Sequence, residues 1–166
     1  GTILFEASYE NSGDLYLGNG TVTSSQDLVD PGNVHGDVGT LVLLKNWSDT
    51  GGTTDPASGT VRYRGTTLSN DRTVPNTLFH NLSIETDSLG SFSWATVSST
   101  VTNDLTVAPG ASFVALNSDA VLFIGGDLLN DGTMNIGGAD ATTTGNVVNT
   151  GVFYAGTSDG SFSLGG

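Results

Sequence analysis

Between Asn103 and Ala155 the chain repeats one short phrase three times. The copies are Asn103-Asp104-Leu105-Thr106-Val107-Ala108-Pro109-Gly110, Gly126-Asp127-Leu128-Leu129-Asn130-Asp131-Gly132 and Gly145-Asn146-Val147-Val148-Asn149-Thr150-Gly151. Each is a small or amide residue, an Asp or Asn, aliphatics, a turn and a closing Gly. The equivalent Asp/Asn positions are 104, 127 and 146, a period of about 19 to 23 residues. A unit this short cannot bury an apolar face alone, whereas stacked copies share a continuous core. The spacing, with apolar residues alternating after the closing Gly, predicts a solenoid of stacked β-coils.

Composition agrees. Of 166 residues 36% are hydrophobic, and 24 are Gly. Few are strong helix formers, so the class is all-β, with a β-sandwich as the alternative architecture. One domain over 1–166 is expected. With 17 acidic and 4 basic residues the net charge is −13. That disfavours nucleic acid and anionic membrane surfaces, which need clustered Lys and Arg. There is no cysteine, so neither disulfides nor thiolate metal sites are available. No apolar run approaches the roughly 20 residues of a membrane helix, so membrane insertion is not expected. A start at Gly1 suits either a processed, exported product, the favoured reading, or a cut-out segment.

Along the chain, residues 1–12 read as one alternating strand. Ile3, Phe5, Ala7 and Tyr9 lie on one side, either as the domain's first strand or donated to a neighbour's edge. Asn19-Gly20 signals a turn. Residues 24–38, with Pro31, Gly32, His35 and Gly36, lose the alternation and read as an irregular loop. Leu41 to Leu44 reads as a buried strand, and Asn46 to Gly52 as a turn whose Trp47 covers a coil end. Aligning Gly59-Thr60-Val61-Arg62-Tyr63-Arg64 with Gly132-Thr133-Met134-Asn135-Ile136 gives an inward set of Val22, Val61, Tyr63, Met134, Ile136 and Phe153. Further strands are expected at Leu78–Ile84, Phe92–Val97 and Val101–Val107, with His80 facing solvent, and Phe113–Ile124 carries the densest apolar content.

The stretches Asn46 to Gly52, Gly59 to Gly65 and Leu78 to Ile84, with the later Gly-Asp-Leu and Gly-Asn-Val copies, resemble the β-helical repeats of bacterial secreted surface and adhesin-like proteins. The likeness covers 40–166 and, more loosely, 13–23. It implies a right-handed parallel β-helix, exported, acting as a stalk, filament or adhesive surface at the cell exterior.

Enzymatic chemistry is not expected. All four basic residues lie between Lys45 and Arg72, and no Ser/His/Asp arrangement, phosphate loop or zinc spacing is present. Asp104 and Asp127 would stack about 4.8 Å apart in a solenoid. Ca²⁺ would relieve their repulsion, with Asp131 adding an oxygen, whereas ordinary turn chemistry explains the same residues without metal. Thr-Val-Thr and Thr-Thr-Thr triplets do not recur at one repeat position, so ice binding is not expected. Arg62 and Arg64 belong to a basic band at 45–72 on an otherwise acidic chain. With the strand at Ile3, Phe5, Ala7 and Tyr9, they suggest a head-to-tail homopolymer. The rival is one segment of a longer adhesin with those arginines paired internally. A carbohydrate- or cell-binding module, taking surface glycans on Trp47 or Trp94, is the alternative function.

Overall fold

The computed structural model describes residues 1–166 except 31, 46, 50–53, 56, 66–71, 75–77, 87–90, 95–98, 116–118, 156–159 and 166. The described residues form short β-strands and no helix. Every strand pairing is parallel, so the chain is a parallel β-helix and not a sandwich of antiparallel sheets. Each coil lays one strand on each of three faces.

The first face is an unbroken eight-stranded sheet: Thr2–Phe5, Thr21–Ser24, Thr40–Leu43, Thr60–Gly65, Asn81–Thr86, Leu105–Val107, Leu128–Asn130 and Val147–Asn149. The second face has two sections. Tyr9–Glu10, Leu28–Asp30 and Trp47–Asp49 form one; Arg72–Val74, Ser91–Trp94, Ser112–Val114, Thr133–Asn135 and Val152–Tyr154 form the other. The third face divides likewise: Asp14–Tyr16, Asn33–His35 and Thr54–Asp55, then Leu78–Phe79, Ser99–Val101, Val121–Ile124, Asp140–Thr143 and Ser161–Leu164. At the divide Trp47–Asp49 lies beside Arg72–Val74, and Thr54–Asp55 beside Leu78–Phe79, without strand pairing among the described residues.

The repeat period is the length of one coil. On the first face Thr2 pairs Thr21 and Thr21 pairs Thr40, 19 residues apart each time. Later steps run Thr40 to Thr60, Thr60 to Asn81, Leu82 to Leu105, Leu105 to Leu128 and Leu128 to Val147. Alternation decides what each coil buries. Val22, Leu41, Val61, Leu82, Leu105 and Leu128 form one inward column, all buried. Of the inward set, Val22, Val61, Tyr63, Met134 and Ile136 are core, and Phe153 packs against it. Tyr63, Phe79 and Phe113 are fully enclosed; burial of a side chain such as Phe stabilises by about 1.5–3 kcal/mol.

Several expectations need correction. Residues 24–38 are not an irregular loop, because Leu28–Asp30 and Asn33–His35 are strands. Leu28-x-Asp30-x-Gly32-x-Val34 is another copy of the repeat, and Gly32 packs against the backbone of Gly13 one coil away. The N-terminal segment is two strands, Thr2–Phe5 and Tyr9–Glu10, with a corner between them. Trp47 does not cover a coil end. It is 2% exposed, sits in register with Leu28 and meets Phe79 edge-on at 6.1 Å. The remainder of that expected turn, at 46 and 50–52, lies outside the described residues, as do the side chain of Trp94 and residues 95–97 of the strand expected after it.

One feature was not expected at all. Near the N-terminus the motif Tyr9-x-Asn11-x-Gly13 and its copy at Leu28 lie on the second face. Near the C-terminus the same motif, at Leu128-x-Asn130-x-Gly132 and Val147-x-Asn149-x-Gly151, lies on the first. The first face absorbs the shift where Thr60-Val61-Arg62-Tyr63 pairs in register with Asn81-Leu82-Ser83-Ile84. The repeat frame therefore slips by one face in mid-chain.

Candidate assembly surfaces

The repeated Asp/Asn positions form a ladder up one corner. Asn103 Nδ2 donates to Asn81 Oδ1 at 2.8 Å. The backbone N–H of Asp127 donates to Asp104 Oδ1 at 2.8 Å, and that of Asn146 to Asp127 Oδ1 at 2.7 Å. Each side chain thus satisfies a backbone donor of the next coil that the bend takes out of the sheet. The preceding glycine has a steric cause. A Cβ on Gly126 would lie 2.5 Å from Asp104 Oδ1, and one on Gly145 2.5 Å from Asp127 Oδ1. Where the position is Asn103, its side chain joins the ladder instead.

Asp104 and Asp127 therefore stack at one repeat position, each with an oxygen engaged by a backbone donor. Asp131 lies at the far end of the strand Leu128–Asn130 and accepts a hydrogen bond from Thr150 Oγ1. The fold does not bring it to the other two. Among the described residues, no three His, Cys, Asp or Glu side chains converge to hold a metal ion.

The other two corners use buried amides, one in each half of the chain. Asn11 Nδ2 donates to the Asn33 carbonyl and Asn130 Nδ2 to the Val152 carbonyl, both at 3.0 Å across the same sequence separation of 22. Asn130 also donates to Asn149 Oδ1 at 2.7 Å. Glycines pack backbone on backbone at the same corners. A Cβ on Gly32 would fall 2.1 Å from the Gly13 carbonyl oxygen, and one on Gly151 2.0 Å from that of Gly132.

Within the basic band Arg62 is paired internally. Arg62 Nε and Nη2 donate to the Glu85 carboxylate at 2.9 and 2.7 Å across neighbouring strands of the first face. The hydrogen bond from Arg62 holds Glu85 below the usual glutamate range and raises the Arg62 guanidinium. Arg64, two residues on, is exposed. On the third face Asp14 accepts from Asn33 Nδ2 at 2.8 Å, with His35 Nε2 at 3.2 Å, and these bonds lower its pKa. Tyr16 stacks on His35, centroids 4.4 Å apart. Sequence reading allowed internal pairing of the arginines without naming Glu85 and missed the Asp14 cluster, because both join side chains a coil apart. One coil on from Arg62, 21 residues along, is Ser83, and Glu85 lies two residues beyond it, diagonally across the neighbouring strand.

Both ends present core. At the N-terminal end Ile3 is 51% exposed; Phe5 and Tyr9 are half-buried and stacked 4.1 Å apart, and Ala7 is exposed. Thr2–Phe5 pairs with Thr21–Ser24 of its own chain, and its other edge is open. At the C-terminal end Phe153 and Phe162 are partly covered, while Leu164 is exposed. The two ends differ in charge. The first coil carries Glu6, Glu10 and Asp14, all exposed, whereas after Asp140 the sequence has one charged residue, Asp159. Comparison with protein-family models, curated proteins and solved structures finds no match.

Proposed function

We propose that the protein is an extracellular structural subunit that stacks end to end with copies of itself into a surface fibre or matrix. The observation that carries this reading is the unbroken parallel first face, whose outer strands Thr2–Phe5 and Val147–Asn149 each have one edge unpaired among the described residues. Open parallel edges are templates for further strands, and a heterologous contact that does not close builds a filament. The absence of cysteine and the high content of small polar residues suit an exported solenoid. No reaction is proposed. Arg62 contributes by tying two coils together through Glu85. Electron microscopy and sedimentation of the purified protein over a range of concentrations test the reading, with and without a calcium chelator. Long fibres of uniform width are expected. Isolated short rods under every condition would refute it, and fibres lost only on chelation would add Ca²⁺ as a cofactor.

A second reading, a glycan-binding adhesin module, is favoured by the exposed Tyr16–His35 stack beside Asp14 and Asn33 rather than by Trp47, which is buried. Saturable glycan affinity abolished by Tyr16→Ala would support it; glycan-array binding unchanged by that substitution would remove it.

A further inference from the structure

Two threonine triplets, Thr100-Val101-Thr102 and Thr142-Thr143-Thr144, are far apart in the sequence. The fold sets them at one repeat position, two coils apart on the third face: Thr100 pairs Phe123, and Phe123 pairs Thr142. Val101 and Thr143 point inward and are fully buried, so the alternation turns the outer threonines to the surface. The coil between them carries Phe123-Ile124-Gly125, and Phe123 is 40% exposed. Gly125 is fixed by the backbone beside it, since a Cβ there would lie 2.4 Å from the Thr102 carbonyl oxygen. In consequence no side chain of its own coil flanks Phe123 on that side.

The result is an aromatic ring bracketed along the solenoid by pairs of hydroxyls. Thr100 and Thr102 lie one coil before it, Thr142 and Thr144 one coil after. Val121 borders the ring on the other flank, and Leu78 continues the column beyond Thr100. Several of the hydroxyls are held in place. Thr102 Oγ1 is 3.1 Å from His80 Nδ1, Thr142 Oγ1 is 2.8 Å from Ser163 Oγ, and Thr144 Oγ1 donates to the Gly125 carbonyl at 2.6 Å. Each keeps a lone pair for a further hydrogen bond. Charge is nearly absent. At the outward positions of these strands Asp140 is the one charged side chain among the described residues, and it accepts hydrogen bonds from Ser161.

We infer that this section of the third face is a binding site for a neutral glycan, with one pyranose stacked by its C–H face on Phe123 and hydrogen-bonded at its edges by Thr100 and Thr142. A pyranose has apolar faces and a rim of hydroxyls; the site has an apolar centre and polar ends. Thr100 and Thr142 are two strand spacings apart, about 9.6 Å. Two hydrogen bonds of about 2.8 Å leave about 4 Å between them, room for one ring. The columns run along the solenoid, so neighbouring sugars of a chain lie over Leu78 on one side and Ser163 on the other.

A second copy of the chain fits less well. The section is five strands wide, about 19 Å, and its strands reach about 13 Å. That is roughly 250 Å² against the roughly 800 Å² per partner that a stable protein pair buries. An ordered-water template fits no better, because Phe123 and Gly125 interrupt the hydroxyl rows. The site is separate from the Tyr16–His35 stack, which lies on the earlier section of this face, and end-to-end stacking leaves it open.

Isothermal titration calorimetry tests the site, using hexamers of β-1,4-linked glucose, xylose and N-acetylglucosamine, with a galacturonate hexamer as the charged control. At least one neutral hexamer is expected to bind saturably, and galacturonate not to bind. Phe123→Thr, which preserves strand propensity, is expected to weaken that binding about tenfold or more. T100V/T142V, which removes both hydroxyls at little change of shape, is expected to weaken it about fivefold, and Tyr16→Ala to leave it unchanged. Circular dichroism checks each fold; should Phe123→Thr misfold, T100V/T142V decides. Binding lost in Tyr16→Ala but kept in Phe123→Thr would overturn this site and leave the second reading standing. Binding kept by every variant would overturn both. Galacturonate binding alone, or no binding by any hexamer, would overturn the site as well.

Discussion

The two ends of the chain are built from one motif laid on different faces. Around Asn11 and Leu28 the amide corner joins the second face to the third; around Asn130 and Asn149 it joins the first face to the second. The hydrogen bond is the same in both, from the Asn amide to a carbonyl 22 residues on, at 3.0 Å. Yet the first face runs unbroken through the shift, while the other two faces show no strand pairing there among the described residues. The lesson is that pairing register follows the two-residue alternation of apolar side chains, not the identity of the repeat. Val61 and Tyr63 accept Leu82 and Ile84 as neighbours because both strands place apolar groups at the same parity.

If the halves are chemically equivalent, equivalent substitutions should cost the same. The largest effects belong to the corner glycines. Gly32→Ala and Gly132→Ala each place a Cβ within 2.1 and 2.5 Å of backbone oxygen and should each cost about 3 kcal/mol. Gly13→Ala, at the same motif position with nothing within 4 Å, should change stability by under about 0.5 kcal/mol. Urea unfolding of the three variants checks this, and an equal loss at Gly13 would break the account of the corner. Next are the buried amides: Asn11→Ala and Asn130→Ala should each cost about 1–3 kcal/mol, and a large disparity in their thermal shifts would mean the two corners are not equivalent.

The Asp ladder should be smaller and specific. Asp127→Ala removes the acceptor for the Asn146 N–H, at about 1–2 kcal/mol, while Asp127→Asn keeps an acceptor and should be nearly neutral by calorimetry. A full loss in the Asn variant would show that charge, and with it a bound cation, matters instead. The smallest effect is at the exposed pair, where Arg62→Ala should cost less than about 1 kcal/mol. Because the folded-state pKa of Glu85 lies below its ordinary value of 4.5, its contribution is present at neutral pH and fades as pH falls below that value. The difference in melting temperature between wild type and Arg62→Ala should therefore shrink in acid; a constant difference would mean the pair contributes nothing through charge.

The solenoid itself was legible, because Asp104, Asp127 and Asn146 recur at one coil length and the residues after them alternate. So was the stacking of Asp104 on Asp127. What escaped reading depends on corner geometry. Nothing local at Leu28-x-Asp30-Pro31-Gly32 separates a tight corner between two strands from a loop. Burial of Trp47 depends on Leu28 and Phe79 from neighbouring coils. The slip of the repeat frame depends on the number of residues between Thr60 and Asn81, and single motifs do not carry that number. Partners such as Arg62 and Glu85 are neighbours only once the coil length is known.

The central claim is that the stack of coils continues from one molecule into the next. Fibre diffraction from an aligned pellet of the purified protein tests it most directly. The account predicts a reflection at about 4.7–4.9 Å lying along the fibre axis, since the strands of stacked coils cross that axis. A protein that yields no fibres, or fibres whose strand spacing runs perpendicular to the axis, would contradict it.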